Sequence, residues 1–252
     1  MRPRTRRQDP GNDRESSPSL NGTTVKISTR VVTPAIKFIL SLICRIDARE
    51  MRSIPKTGPL IIVTNHVNFL EAPIVYSYLY PRYAVGLVKR ETWDNTFLGA
   101  LADVWNSIPI DRESTDLTAM RKALEALDRG AILILAPEGT RSGHGRLQKG
   151  HGGIIQLALR SGVPILPIAH SGGERFWENL RSFRRTSFTV RVGRPFRLVP
   201  PTASRSVPRS VREAMTEAVM NRVSILLPER QRGAYPNPGS ASTGPIEFID
   251  LD

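Results

Sequence analysis

Residues 58–66 read GPLIIVTNH, and this stretch indicates the fold most directly. A short aliphatic run, bounded by a glycine on one side and polar residues on the other, is typical of a strand buried on both faces. We therefore predict a strand over residues 59–64. Asn65 and His66 follow at once, beyond the carboxyl end of that strand.

Outward from this strand, the chain alternates between short apolar runs and longer amphipathic segments. Further strands are predicted over residues 83–88, 107–110, 131–135, 163–168 and 186–192, and helices over residues 74–80, 116–129, 152–160 and 207–227. Strands that alternate with helices indicate an α/β fold with a mixed, largely parallel sheet flanked by helices.

The most apolar stretch precedes this region and reads VVTPAIKFILSLICRI from Val31 to Ile46. It is shorter than the roughly 20 apolar residues of a membrane-spanning helix, and it contains Pro34 and Lys37. Two interpretations remain open. The stretch is either an N-terminal apolar helix lying in the membrane interface or a helix packed on the domain's own core.

The length and composition predict one large folded domain between two irregular ends. The chain has 252 residues and a formal net charge of +13. Residues 1–24 contain five arginines among small and polar residues, which predicts a disordered basic arm. Residues 229–252 are rich in glycine and proline, which predicts a flexible tail after a domain over residues 25–228. The single cysteine, Cys44, excludes a disulfide framework and a cysteine-based zinc or iron–sulfur site.

The positive charge indicates an anionic partner, either a nucleic acid or a membrane surface. Residues 181–197 contain six arginines and no acidic residue, which fits phosphates of either kind as well as a solvated strand face. Nucleic-acid-binding proteins usually add stacking aromatic residues or a known motif. The stretch offers only three phenylalanines, which makes a nucleic acid the weaker interpretation. The expectation of an anionic membrane surface and no nucleic acid rests on the sequence motifs and not on this charge.

Three polar clusters come directly after predicted strands. They lie at residues 64–71, at residues 110–112 and at residues 137–142, with Lys149 a little further on. Functional groups of parallel sheets gather beyond the carboxyl ends of the strands. We therefore expect the three clusters to form one site.

His66 and Glu71 are candidates for a catalytic pair. Five residues apart, they do not share a helix face, but they meet if a turn separates them and a helix begins after Glu71, where Pro73 favours it. A carboxylate on one imidazole nitrogen makes the other nitrogen a general base for a hydroxyl. In the alternative interpretation His66 ends the strand and Glu71 is a solvated acid.

Arginines in the second and third clusters are suited to an anionic ligand. Arg112 and Arg141 carry planar forks that match phosphate or carboxylate, and Gly139 allows backbone amides to approach a ligand. Lys149 precedes a predicted helix and could add to an anion site. The alternatives are ordinary surface ion pairs for the arginines and a solvated loop lysine.

Several other catalytic templates are absent from the sequence. It contains no phosphate-binding GxxxxGK[ST] loop, no HExxH metal motif and no GxSxG nucleophile elbow. His144, His151 and His170 lack a metal-ligand spacing, so no metal site is expected. His151 and His170 are interpreted as polar residues at an edge or in the core.

Taken in order, these clusters resemble the 1-acylglycerol-3-phosphate acyltransferase family, the glycerolipid acyltransferases with a His-x4-Asp motif. NHVNFLE at residues 65–71 resembles the first family motif, SIPIDR at 107–112 the second, EGTRS at 138–142 the third and VPILPI at 163–168 the fourth. Lys149-Gly150 resembles the Lys-Gly that follows the third motif. The resemblance covers roughly residues 30–227 and departs from the family at Glu71, where Asp is usual.

The resemblance implies a glycerolipid acyltransferase domain over residues 25–228, which moves a fatty acyl group from acyl-CoA or acyl-carrier protein to the hydroxyl of lysophosphatidic acid. It implies that His66 is the general base with Glu71 as its partner. The substrate-binding residues that it implies are Asn65, Arg112, Glu138, Gly139, Thr140, Arg141 and Lys149.

No cofactor is implied besides the acyl donor, and the expected location is the cytoplasmic face of the cell membrane, as a peripheral or monotopic protein. Because Glu71 replaces Asp, the alternative is a catalytically silent or differently specific lipid-binding relative of the same fold.

Overall fold

The computed structural model describes residues 27–111, 116–200, 207–239 and 245–251. The predicted basic arm over residues 1–24 lies outside these residues. Within them the longer helices are α1 (Ile27–Ile43), α2 (Glu71–Leu79), α3 (Thr96–Val104), α4 (Leu117–Asp128), α5 (Gly153–Ser161), α6 (Phe176–Arg181) and α7 (Arg209–Ser224). Short 3₁₀ helices occupy Arg49–Ser53, Arg90–Asp94, Gly173–Arg175 and Glu229–Gln231.

In the described part of the chain, nine strands form one sheet. They are β1 (Cys44–Asp47), β2 (Leu60–Val63), β3 (Ala84–Lys89), β4 (Ile108–Ile110), β5 (Ile132–Leu135), β6 (Ile165–Ser171), β7 (Thr186–Val192), β8 (Phe196–Leu198) and β9 (Ile246–Phe248). The order is β1-β7-β6-β2-β5-β3-β4, with β8 paired to β6 and β9 paired to β8. Five of the strand pairings are parallel, and the antiparallel pairings all involve β7, β8 or β9. The predicted mixed, largely parallel sheet is therefore confirmed.

β2 lies at the centre of the sheet and is buried on both faces, as its sequence predicts. Leu60 and Ile62 join the apolar layer formed with α1, α2 and α6, whereas Ile61 and Val63 join the layer formed with α4, α5 and α7. The side chains alternate because successive residues of a strand point to opposite faces of a sheet. Parallel pairing with β5 on one side and β6 on the other brings three carboxyl ends together.

The N-terminal apolar stretch forms a helix and then a strand, which corrects the prediction of one helix to Ile46. α1 ends at Ile43, and β1 begins at Cys44 in parallel pairing with β7. The Arg185 side chain donates to the carbonyl oxygens of Ser41 and Cys44 at 2.6 and 2.7 Å. These bonds satisfy carbonyl groups that a helix leaves free at its C-terminus. The pattern of apolar residues could not predict this end of the helix, because Arg185 lies 144 residues after Ser41 in the sequence.

The predicted flexible tail over residues 229–252 contains regular secondary structure in two segments that the structure describes, Glu229–Gln231 and Ile246–Phe248. Gln231 is buried, and β9 pairs with β8 in antiparallel register. The ring of Phe248 packs edge-on against that of Phe196, with centroids 6.4 Å apart. Glycine and proline make up six of the 24 residues of this region, but Ile246 and Phe248 carry enough apolar surface to extend the sheet.

Candidate active site

The three central strands β2, β5 and β6 end at the same edge of the sheet, and the site lies beyond them. Asn65 and His66 follow β2, and Glu138 follows β5. His170 is the next-to-last residue of β6. Parallel pairing of these strands therefore brings together side chains that lie up to about a hundred residues apart in the sequence.

His66 and Glu71 form a hydrogen-bonded pair. The Nδ1 atom of His66 lies 2.9 Å from Oε2 of Glu71. The imidazole is partly exposed, with 24% of its side-chain surface accessible, whereas Glu71 is buried. Since Nδ1 faces the carboxylate, Nε2 is the nitrogen available to a substrate hydroxyl. The pair thus has the geometry of a general base with an orienting carboxylate.

The carboxylate of Glu71 is also bound by the backbone of the loop before it. The amide of Asn68 donates to Oε1 and Oε2 at 2.8 and 3.0 Å, and the amide of Val67 donates to Oε2 at 3.2 Å. Glu71 is the first residue of α2, so its side chain folds back over the loop. This arrangement accommodates the extra methylene of Glu within hydrogen-bond distance of His66.

Two asparagines fix the shape of the catalytic loop, residues 64–70. Asn65 donates from Nδ2 to the carbonyl oxygen of His170 at 3.0 Å and accepts from the His170 amide at 2.9 Å. Asn68 donates to the carbonyl of Gly173 and accepts from the amide of Leu70. The side-chain amide of Asn65 is buried and bonded to β6, and its predicted contact with substrate stays a prediction.

Glu138 joins the third motif to the first. Its Oε1 accepts from the backbone amide of His66 at 2.6 Å, and its Oε2 accepts from the amide of Gln148 at 2.9 Å. Burial raises the pKa of Glu138 to about 7, against the two amide donors, which lower it. Both oxygens are engaged, so Glu138 positions the backbone of His66, and its predicted role in binding substrate stays a prediction.

The turn after Glu138 presents the remaining residues of the third motif. Gly139 has a φ of +69°, a left-handed conformation that side chains other than glycine rarely adopt. Thr140, Arg141 and Lys149 are exposed. Neither Arg141 nor Lys149 pairs with an acidic side chain in the part of the chain that the structure describes, so both charges are open to an anion.

An open cleft of about 1230 Å³ lies beside this turn. It is lined by Glu138, Gly139, Thr140 and Lys149, and on another side by Arg212 of α7. Its volume exceeds the roughly 300–1,000 Å³ typical of small-molecule sites. Across the described ranges, no group of three or more His, Cys, Asp or Glu side chains is arranged to hold a metal ion.

Residues 45–171 match the protein-family model Acyltransferase, which spans just over half of the chain and includes His66, Glu71, Glu138 and His170. The chain belongs to the acyltransferase family. The predicted resemblance to the 1-acylglycerol-3-phosphate acyltransferases is thereby confirmed, because relatives of that description recur among the curated proteins that it matches.

This acyltransferase is 29% identical over 206 residues to the 1-acyl-sn-glycerol-3-phosphate acyltransferase of Pseudomonas aeruginosa, a match that spans 79% of this chain and 76% of that protein. It is 31% identical over 154 residues to the human 1-acyl-sn-glycerol-3-phosphate acyltransferase beta, spanning 59% of this chain and about half, 54%, of that relative. The crystal structure of the 1-acyl-sn-glycerophosphate acyltransferase PlsC from Thermotoga maritima has a TM-score of 0.57 at 23% identity and 79% coverage of each chain. At this identity the likeness shows a shared fold and nothing further.

The structure brings most of the sequence-predicted residues of the acyltransferase to one edge of the sheet. His66 bonds to both Glu71 and Glu138, and the exposed third-motif residues Thr140 and Arg141 follow Glu138 in the chain. Arg112 lies outside the described residues, so its predicted contact with substrate stays a prediction.

His170 is buried, as one of its sequence interpretations has it, but the sequence did not predict its position beside Glu71. Its Nε2 atom lies 2.9 Å from Oγ1 of Thr64, and its Nδ1 atom lies 3.9 Å from Oε1 of Glu71. Burial lowers the pKa of His170 to about 4, which keeps the ring neutral beside the carboxylate. Its position at the end of a predicted strand, level with His66, is the signal that could have indicated it.

We expect His170 to make the folded protein sensitive to acid. Between the ordinary pKa of 6.5 and the folded value of about 4, the unfolded chain binds a proton that the folded chain does not, so stability falls as pH falls through this window. His170→Gln removes this term. The free energy of unfolding should then drop by about 2 kcal/mol less between pH 7 and pH 5 than in the wild type.

Urea denaturation at the two pH values measures this difference. The matched control is His144→Gln, at an exposed histidine of the third-motif loop, which should keep the wild-type pH dependence. An equal loss of stability in the wild type and in His170→Gln would contradict the prediction.

Proposed function

We propose that this acyltransferase moves a fatty acyl group from acyl-CoA or acyl-carrier protein to the free hydroxyl of lysophosphatidic acid, with His66 as general base. The observation that carries the proposal is the pairing of His66 Nδ1 with a buried Glu71 carboxylate at 2.9 Å. This pairing orients an exposed imidazole edge toward substrate. The matches to 1-acyl-sn-glycerol-3-phosphate acyltransferases support lysophosphatidic acid as the acceptor.

The chemical step follows from the protonation states of the pair. Nε2 of His66 takes the proton of the acceptor hydroxyl as the oxygen attacks the thioester carbonyl. The new C–O bond forms the ester, the C–S bond breaks, and the imidazolium returns its proton to the departing thiolate. Glu71 stabilises the imidazolium in between, and no acyl-enzyme is required.

Binding of the acceptor phosphate is assigned to the exposed cations of the site. Arg141 offers a fork that matches a phosphate, and Lys149 adds a second positive charge on the rim of the same turn. Arg112, from the second motif, is proposed as a third phosphate contact. Holding the phosphate orients the glycerol hydroxyl toward His66, which converts binding energy into rate.

The cleft beside the third motif is proposed to take the acyl donor. Its volume of about 1230 Å³ suits a bulky thioester, and its lining carries both cations, such as Lys149 and Arg212, and acidic side chains, such as Asp116 and Glu213. Acyl-CoA and acyl-carrier protein both present phosphate next to the thioester arm, so both donors remain part of the proposal.

The test is a panel of lysophospholipid acceptors incubated with the purified protein and an acyl thioester. We expect phosphatidic acid to form from lysophosphatidic acid, with stoichiometric release of thiol, as read by mass spectrometry. Acceptors whose phosphate is capped by choline or ethanolamine should react more slowly, because Arg141 and Lys149 then meet a less charged phosphate.

The alternative is a catalytically silent lipid-binding relative, which the replacement of Asp by Glu71 suggests from sequence. No product from any acceptor, in a protein that still binds lipid vesicles, would favour this alternative. The hydrogen bond between Glu71 and His66 supports an active site instead.

Attachment to the cytoplasmic face of the cell membrane, as a peripheral or monotopic protein, is part of the proposal. In α1, Leu40 and Thr33 are buried against the domain. The side chains on the other side of the helix are exposed, and we call them the outer face of α1: Val31, Phe38, Ile39 and Leu42. A helix that is apolar on both sides suits a bilayer interface as well as a core. None of the helices in the described ranges is long and apolar enough to cross a membrane.

A further inference from the structure

The turn that ends α6 carries a phenylalanine in a conformation that usually requires glycine. Phe183 has a φ of +52°. Its amide donates to the carbonyl of Leu180, and the amide of Arg184 donates to the carbonyl of Asn179. These two bonds define a Schellman ending, in which the left-handed position is most often glycine. Strained backbone positions are concentrated at functional sites, so a large side chain at this position indicates a functional role for Phe183.

The side chain of Phe183 gains nothing from packing within the described structure. It is 99% exposed, and its neighbours Trp177, at 56%, and Leu180, at 37%, are exposed as well. Together these residues form an apolar surface that we call the α6 turn surface. Exposed aromatic side chains grouped in this way mark an interaction site.

The α6 turn surface is linked to the outer face of α1. Arg185 bonds to the carbonyl oxygens of Ser41 and Cys44, at the end of α1 where Leu42 is exposed. The turn after α6 is thereby held beside the C-terminal end of the helix proposed to contact the membrane.

The same surface is linked to the catalytic loop. The ring of Phe69 lies 5.4 Å from that of Trp177, and Asn68 donates to the carbonyl of Gly173 at 2.8 Å. Asn68 in turn binds Glu71 through its amide. The α6 turn surface therefore lies next to the loop that carries His66.

The charge around this surface indicates the chemistry of its partner. Residues 175–185 contain four arginines and one glutamate, and that glutamate, Glu178, pairs with Arg175. Arg181 and Arg184 are exposed, and neither forms a salt bridge in the part of the chain that the structure describes, although Arg184 is near enough to Glu178 to help lower the pKa of that carboxyl. An apolar tip flanked by an excess of exposed cations complements a bilayer with anionic headgroups.

We propose that the α6 turn surface inserts Phe183 into an anionic lipid bilayer, as a second membrane contact beside α1. This inference rests on the proposed function and specifies how the site meets its lipid. Two contacts fix the rotation of the domain about the axis of α1, which a single helix leaves free. The catalytic loop is then held against the bilayer that contains the acceptor.

The test is binding of the full chain to vesicles of phosphatidylglycerol and phosphatidylcholine in equal parts, measured by cosedimentation. Phe183→Gly should lower the vesicle partition coefficient about tenfold, because one phenylalanine side chain no longer enters the bilayer. The same variant should melt at the wild-type temperature or above, since glycine suits the left-handed turn. A merely structural role for Phe183 does not predict this combination.

Charge and position are tested by further variants. Arg181→Gln with Arg184→Gln should weaken binding to the mixed vesicles and leave binding to pure phosphatidylcholine unchanged. The matched control is Leu117→Ala, which removes an exposed apolar side chain on α4, on the other face of the sheet. Equal binding of wild type and Phe183→Gly, or an equal loss in Leu117→Ala, would overturn the proposal.

Activity on a short-chain, water-soluble lysophosphatidate separates this proposal from the proposed function. Phe183→Gly should keep wild-type turnover of the soluble acceptor and lose turnover of the acceptor in vesicles. If the wild type turns over neither acceptor, the proposed function fails, and the vesicle-binding result still decides the role of Phe183. Wild-type vesicle binding by Phe183→Gly, together with capture of a protein partner, would identify the surface as a protein contact instead.

Discussion

Replacing His66 with alanine is expected to lower kcat/KM for acylation of lysophosphatidic acid by about 10³-fold. General-base catalysis typically contributes about 10²–10⁴-fold, and the other imidazole beside Glu71, that of His170, is buried and cannot reach a substrate hydroxyl in its place. Because proton removal is needed only as the hydroxyl attacks, the loss should fall mainly on kcat. Initial rates with purified protein, at saturating donor and varied acceptor, measure it.

The fold should survive this change, because the backbone of His66 is held independently of its side chain. Its amide donates to Glu138, and its carbonyl accepts from the amide of Ser142 at 2.8 Å. Thermal melting and vesicle binding of His66→Ala should therefore match the wild type. His144→Ala, the same substitution at an exposed histidine of the neighbouring loop, is the matched control for activity. Activity of His66→Ala within a few-fold of that control would show that another group removes the proton.

Glu71→Gln is expected to lower kcat by about 10²-fold with little change in KM. The amide keeps the shape of the side chain but loses the negative charge that stabilises the imidazolium of His66. In the wild type, the Glu71 carboxylate accepts from the amides of Val67 and Asn68 as well as from His66. The NH₂ group of glutamine would therefore face a hydrogen-bond donor and lose one of these bonds. Measurement of kcat and KM for the purified variant, with lysophosphatidic acid as acceptor, checks the prediction.

Glu71→Asp separates the charge of this side chain from its length. It keeps the negative charge and restores the residue that the family usually has, so it should retain far more activity than Glu71→Gln. A kcat in Glu71→Gln equal to the wild type would show that the carboxylate has no electrostatic role. Equal collapse in both variants would show that the loop is built around the length of Glu.

Much of this site could be predicted because its first contact is local. His66 and Glu71 are five residues apart, and a turn followed by a helix start joins them without help from the rest of the chain. The apolar run of β2 indicated where this loop begins. Arg141 and Lys149 were likewise placed by a motif that follows a strand.

Other features depended on strand order, which apolar periodicity does not encode. Glu138 lies 72 residues from His66, and the sequence did not predict its contact with the His66 amide. The bonds between Asn65 and His170, 105 residues away, were not predicted either. Neither side chain differs, in the sequence, from one that faces a ligand.

The sequence by itself indicated the α/β class, the central strand predicted over residues 59–64 and the candidate pair of His66 and Glu71, because apolar periodicity and short turns are properties of neighbouring residues. Only the tertiary structure decided that His170 lies buried beside Glu71 and that Phe183 is fully exposed in a strained turn. Burial and exposure are set by which distant elements pack together. The packing of α6 between α1 and the catalytic loop therefore had to be seen before a membrane contact could be inferred there.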